Sequence, residues 1–249
     1  MESPLHETDL PPEGAHSIAD KAQNAWISHV VPFIAWIFLM QMLGDPTGWK
    51  YALRSVICLG LLLYLKPWQW SYPRLNYKNL PMATLIGVVV CLFWIAPETD
   101  YFSRFEGFHR LYLRVGTQMP WELTSPLERI RYAPDTDGWM FAITRLLGSA
   151  LVIAVIEEFF WRGWLTRWVE KANFLDADPG LVSTRSIVIA SLMFASIHQR
   201  WVAGLLCGLL YGWFYRKTRD IWAVSFAHAL TNGLLGAYVL WSGKFEFWA

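Results

Sequence analysis

Ile156-Glu157-Glu158-Phe159-Phe160-Trp161-Arg162, which reads IEEFFWR, closes a long apolar run that begins at Phe141. A charged side chain within a hydrocarbon layer is costly, so two adjacent carboxylates in such a segment mark a functional site by default. On a helix Glu158 and Arg162 are i and i+4, share a face and can pair. Glu157 lies about 100° further round and is left without that partner. One glutamate is therefore held by an arginine, while the other faces something else.

The composition places this stretch in a membrane. Of 249 residues 55% are apolar and only 16% charged, against a soluble norm of about 25% charged. The mean hydropathy is positive. The expected fold is all-α, a polytopic transmembrane helical bundle. Tryptophan and tyrosine cluster beside the apolar runs, at Trp68/Trp70/Tyr72 and Trp213/Tyr215/Trp222, as interfacial belts do. A net charge of +1 gives no reason to expect a nucleic-acid partner. Cys58, Cys91 and Cys207 are odd in number and far apart, which argues against a disulfide framework.

Residues 1–24 are acidic, contain Pro11-Pro12 and lack an apolar core, so they read as a disordered tail without a signal peptide. Residues 25–97 read as three transmembrane helices, at about 26–43, 51–65 and 80–96. A polar loop follows over 98–137. Its Phe102, Phe105 and Phe108 are spaced by three, which suits a short interfacial helix. The core at 138–242 starts with a helix at about 138–169. That exceeds the roughly 20 residues a span needs, so it should emerge or break near Trp164. Short helices at about 186–198 and 201–215 and a last one at about 221–241 complete it, before a tail at 243–249. The count is seven spans, or eight if the long loop dips into the bilayer. Gly204, Gly208 and Gly212, spaced by four, suit close helix packing.

Basic residues fall in alternate loops: Lys66, Arg74 and Lys78; Arg167, Lys171 and Arg185; Arg216, Lys217 and Arg219. The positive-inside rule makes those loops cytoplasmic and the N-terminus with them. Arg104, Arg110, Arg114 and Arg131 in the long loop weaken the contrast.

Three pieces of chain place polar side chains at one depth. Glu157 lies ten residues before Arg167, and His198 thirteen after Arg185; at ~1.5 Å per residue these are about 15 and 20 Å deep. His228 and Asn232 lie nine and thirteen residues after Arg219, about 14 and 20 Å by the same rise. Phe194 shares a face with His198, and His228 with Asn232. Alone, each has a plain structural reading: a satisfied histidine, a helix–helix hydrogen bond for Asn232, a structural pair for Glu158–Arg162. Together they make one site. A carboxylate and an imidazole around one water form a general-base pair, and Asn232 beside His228 can donate to a developing oxyanion. These are the parts that water attack on an amide needs. Ser191, Ser196 and Thr231 sit in no nucleophile context, Cys207 has no activating context, and HExxH is absent. Glu157, His198 and His228 can in principle ligate zinc.

The three motifs, Glu157-Glu158-x-x-x-Arg162, Phe194-x-x-x-His198 and His228-x-x-x-Asn232, resemble those of the CPBP family of intramembrane proteases. That family includes the type II CAAX prenyl endopeptidases and bacteriocin-processing or bacteriocin-immunity proteins. The resemblance covers about residues 140–235 and is nearest to the branch found beside exosortase and PEP-CTERM sorting systems. It implies an integral protein of a bacterial inner (plasma) membrane that cuts a membrane-anchored protein or peptide near the cytoplasmic face. Glu157 with His198 would activate the water, His228 and Asn232 would stabilise the oxyanion, and Glu158 with Arg162 would hold the motif helix. The family has a metal-dependent and a metal-free account; the lack of a dedicated metal motif favours the one without a cofactor. The alternative is a non-catalytic scaffold or immunity-like protein of the same fold. A proton-coupled transporter lacks the inverted repeat that would support it.

Overall fold

The computed structural model describes residues 13–44, 48–70, 72–117 and 132–248, with side chains from residue 20. Among them there are helices and no strands: α1 (Glu13–Met42), α2 (Gly48–Leu65), α3 (Leu80–Ile95), α4 (Glu106–Val115), α5 (Trp139–Glu170), α6 (Thr184–Ala195), α7 (Trp201–Thr218) and α8 (Ile221–Ser242). Five segments are long and apolar enough to cross a membrane: Asp20–Met42, Gly48–Gln69, Tyr77–Glu98, Trp139–Glu170 and Ile221–Ser242. Among the described residues, length and composition thus support five of the seven or eight spans expected. The shortfall lies in α6, only 12 residues long, and in α7, which ends in Tyr215-Arg216-Lys217-Thr218. The two pack on each other as a hairpin.

One boundary and one expected break differ from expectation. The first helix starts at Glu13, well before Trp26. Residues 13–24 hold no proline after Pro12 and include Ala15, Ala19, Lys21 and Ala22, which favour helix. The first twelve residues of the expected tail lie outside the described residues. The long fifth helix does not break near Trp164. It runs on to Glu170 through a π-helical segment, Phe159–Leu165. The aromatic stretch of the long loop forms a helical turn, Asp100–Ser103, and then α4, with Phe105 and Phe108 exposed and Tyr112 buried. Residues 118–131 of that loop lie outside the described residues.

The bundle is closed by contacts between sequence-distant segments. Asp220 caps α8 by accepting from the amides of Trp222 (3.1 Å) and Ala223 (3.0 Å). Its other oxygen accepts from the Asn76 amide and the Asn79 side chain, tying the loop before α3 to the start of α8. α8 then runs along α3, where Thr231 donates to the Gly87 carbonyl. Glu170 at the end of α5 accepts from Ser183 and Ser186, which fixes the start of α6. The three cysteines are free and buried.

The glycine stripe on α7 faces α6. A methyl group at Gly208 would sit 2.8 Å from Ser191 Cβ and 2.9 Å from its Cα, and one at Gly212 would meet Ile187. Because the obstacle at Gly208 includes backbone, no rotamer change relieves it. Gly208→Val is expected to abolish the folded, monodisperse species in detergent by size-exclusion chromatography; Gly233→Ala, where a Cβ meets nothing within 4 Å, is expected to be neutral.

Candidate active site

α5 carries the glutamate pair within an unusual backbone. A five-residue α-helical piece, Ala154–Glu158, lies between two π-helical segments, Gly148–Ile153 and Phe159–Leu165. π-bulges cluster at functional sites. The wider turn keeps residues four apart near one face. Arg145, Ser149, Ile153 and Glu157 accordingly line one cavity of about 380 Å³. Thr166 bonds the Trp161 carbonyl five residues back (2.8 Å), which closes the second π segment.

Glu158 is fully buried. Its Oε1 accepts from Arg162 Nη1 (3.1 Å) and from His228 Nδ1 (2.7 Å). Arg162, also buried, donates from Nη2 to the Gly208 carbonyl and lies over Phe194 (5.0 Å) and Tyr211 (5.3 Å). The i, i+4 pair read from the sequence is present, and it binds α5 to α7 and α8 as well. Arginine suits this position because its planar fork reaches two acceptors while its faces rest on rings.

Glu157 is the other kind of carboxylate. No described residue hydrogen-bonds to it, and its side chain, 10% exposed, faces the cavity. His228 Nε2 is 3.8 Å from Glu157 Oε2. His198 and Asn232 line the same cavity, so the structure brings together Glu157, His198, His228 and Asn232. Phe194 is buried with its ring 4.4 Å from that of His198.

The partners of each imidazole fix its hydrogens. His198 Nδ1 lies 2.7 Å from the Phe194 carbonyl. A carbonyl only accepts, so Nδ1 carries the hydrogen and Nε2 keeps a lone pair. His228 Nδ1 donates to Glu158 in the same way, leaving Nε2 toward Glu157. Asn232 donates from Nδ2 to the Ser149 carbonyl (2.9 Å), within the first π segment. One of its two amide hydrogens is thereby used, and one remains. Among the described residues no three His, Cys, Asp or Glu side chains are grouped so as to hold a metal ion. Ser191 donates to the Ile187 carbonyl of its own helix, and Thr231 donates to the Gly87 carbonyl of α3 and to Ala227 and pairs with the Tyr211 hydroxyl, so both hydroxyls are engaged in the fold.

The cavity extends beyond the residues expected from sequence. It reaches Trp36 and Met40 late in α1, Tyr51 and Arg54 early in α2, and Phe247 and Trp248 after α8. These, with Arg145 and the α6–α7 turn at Gln199-Arg200, gather at one end of the bundle. The loops carrying Lys66, Arg74 and Lys78 and carrying Arg216, Lys217 and Arg219 lie at the other. Arg54 and Arg145 were legible in principle: each is an arginine inside an apolar run.

Comparison with known proteins adds a similarity. Residues 139–234 match the family model described as Rce1-like, type II CAAX prenyl endopeptidase Rce1-like. The matched stretch contains all seven residues of the three motifs and excludes α1–α3. The match stops at the family and does not reach the exosortase-linked branch. No curated protein and no solved structure gives a significant match to the chain.

Proposed function

From a chain whose residues 139–234 match the Rce1-like type II CAAX prenyl endopeptidase family model, we infer an intramembrane endopeptidase that hydrolyses a peptide bond in a membrane-anchored protein or peptide. The observation that carries this reading is the contrast within the glutamate pair. Glu158 is consumed by Arg162 and His228, whereas Glu157 has no hydrogen bond and faces a cavity shared with two histidines and an asparagine.

Glu157 accepts a proton from water, and the resulting hydroxide attacks the scissile carbonyl carbon. His198, oriented through Nδ1, presents Nε2 to the same water. The tetrahedral oxyanion takes a hydrogen bond from the spare amide hydrogen of Asn232, and a second from His228 Nε2 in the imidazolium form, in which both ring nitrogens carry hydrogen and Nδ1 stays bonded to Glu158. The C–N bond then breaks, and the proton held by Glu157 passes to the leaving amine. The products are a carboxylate and an amine, one water is consumed, and Glu157 returns to its carboxylate. Glu158 and Arg162 hold the motif helix. The bilayer supplies the substrate, and its lipid is the solvent of the outer helix faces.

No step in this scheme runs through a metal. Incubation with 1,10-phenanthroline or EDTA is therefore expected to leave cleavage unchanged. Loss of activity restored by zinc would overturn the metal-free account. Cleavage itself is tested by membrane proteomics of cells carrying wild type or Glu157→Gln, looking for a precursor that accumulates and a new terminus that is lost.

A further inference from the structure

The short helix α4 presents an apolar face that no described residue covers. It begins eight residues after the span Tyr77–Glu98 ends. It folds back on that end: His109 Nδ1 donates to the Pro97 carbonyl (2.9 Å), and Tyr112 is buried. Helical spacing gives α4 two further faces. Phe108, Leu111 and Val115 share one, and are 49%, 61% and 46% exposed. Arg110 and Arg114, at i and i+4, run along the other, also exposed. Glu106 is the one acid on α4. It meets Arg110 only at 3.9 Å with both side chains in the open, too loose and too wet to neutralise the pair.

The far end of α4 is tied to the turn between α6 and α7. The Val115 carbonyl accepts from Trp201 Nε1, and Trp201 lies three residues after His198. Beside it, Arg200 donates to both oxygens of Glu98 (2.6 and 2.9 Å) and to the Glu246 carbonyl (3.2 Å). His198 lies past the end of α6 at Ala195 and before the start of α7. Its amide reaches the Ala195 carbonyl (3.0 Å), but its backbone belongs to no helix and takes its place from these ties.

The exposed face calls for an occupant. A stable dimer takes about 800 Å² from each partner, far more than three side chains offer. A bilayer asks only for an apolar stripe at interface height with cations beside it. The end of the third span sets the height, and Arg110 and Arg114 are long enough to reach headgroups while their stems lie along the apolar stripe. Two cations against one loosely placed acid match an anionic surface.

We propose that α4 is an in-plane membrane anchor: Phe108, Leu111 and Val115 enter the boundary between headgroups and acyl chains, Arg110 and Arg114 take anionic headgroups, and the seated helix holds the turn that carries His198. Neither the anchor nor its test depends on the peptidase reading.

The test places the full chain in nanodiscs of phosphatidylcholine alone or of an equimolar mixture with phosphatidylglycerol. A bimane label on Leu111→Cys reports depth through quenching by lipids with a nitroxide high on the acyl chain; the three native cysteines are buried. Quenching is expected at Leu111→Cys and not at Glu106→Cys on the polar face. Phe108→Ser with Val115→Ser should abolish it. Hydrogen exchange reads the rest. Each basic side chain near an anionic surface raises surface affinity about fivefold, so exchange of the 106–115 amides is expected to be about tenfold or more slower in the mixed discs. Residues 197–201 should slow in the same direction. Arg110→Gln with Arg114→Gln should erase the lipid dependence in both segments. Trp201→Phe, which removes the donor to Val115, should erase it in 197–201 and leave it in α4.

Absence of quenching at Leu111→Cys, or equal exchange in the two lipids, overturns the proposal. Disulfide-linked dimers of Leu111→Cys in place of quenching give the face to a second copy and overturn it as well. A lipid response confined to α4 in the wild type, or one in 197–201 that survives Trp201→Phe, overturns the hold on the turn. The lipid comparison on the wild type needs no substitution, so it decides the matter even where a variant fails to fold.

Discussion

Glu157→Gln is expected to lower cleavage of a membrane substrate by about 10²–10⁴-fold, the range a general base contributes, while the melting temperature stays within the scatter of the wild type. The substitution keeps the shape and removes only the ability to take a proton. Because no described residue hydrogen-bonds to Glu157, and His228 Nε2 stands 3.8 Å away, the fold depends little on its charge. The checks are single-turnover cleavage in micelles and thermal unfolding of the same preparation. In cells, a precursor should accumulate. If the variant instead complements a deletion strain and no precursor appears, Glu157 does no chemistry, and the non-catalytic scaffold becomes the better account.

Glu158→Gln, one residue on, should give the opposite pattern. The Glu158 carboxylate is the counter-charge of the buried Arg162 and the anchor of His228. Neutralising it leaves an unpaired guanidinium in the core, a loss of about 3–5 kcal/mol. Set against total stabilities of about 5–15 kcal/mol, this removes much of the fold's margin. The melting temperature should fall sharply, and activity should follow the folded fraction and the freed His228 ring. Unchanged stability would mean that the Glu158–Arg162–His228 triad is ornamental. Arg162→Leu with Glu158→Leu, which removes both charges together, is expected to restore part of the stability but not activity, since His228 then lacks its acceptor.

The motif residues were legible because each breaks a rule of its surroundings. Glu157, His198, His228 and Asn232 are polar in apolar helices, and helical rise alone sets them at similar depth. The i, i+4 spacing of Glu158 and Arg162 gave the pair. It could not give the third member, His228, because a contact between α5 and α8 depends on how the helices pack. The boundaries of α6 and α7 were near the observed ones, but their status as spans depended on length and charge at their ends. π-helical segments leave no periodic signature in a stretch as uniformly apolar as 148–165. The extent of α5 agrees with the helix expected at about 138–169, but the π-helical segments within it were hidden. Arg145 was passed over for a related reason. One charge does not disturb the average of a long apolar run, so the residue is conspicuous only once Ser149, Ile153 and Glu157 are seen on its face.

The cavity and the basic loops occupy opposite ends of the bundle, and this ties two cellular questions into one. If the loops with Lys66 and Lys217 face the cytoplasm, as the charge pattern implies, the arginine end of the cavity lies toward the far compartment, opposite to a cut near the cytoplasmic face. If the cavity faces the cytoplasm, the positive-inside pattern is reversed. A cysteine at Tyr77, 76% exposed by the basic loop, and another at Tyr101, 61% exposed past α3, are reporters for the two ends. The three native cysteines are buried, so an impermeant maleimide reads only the introduced one. Which of the two labels in intact cells names the compartment whose proteins are candidates for cleavage, before any substrate is known.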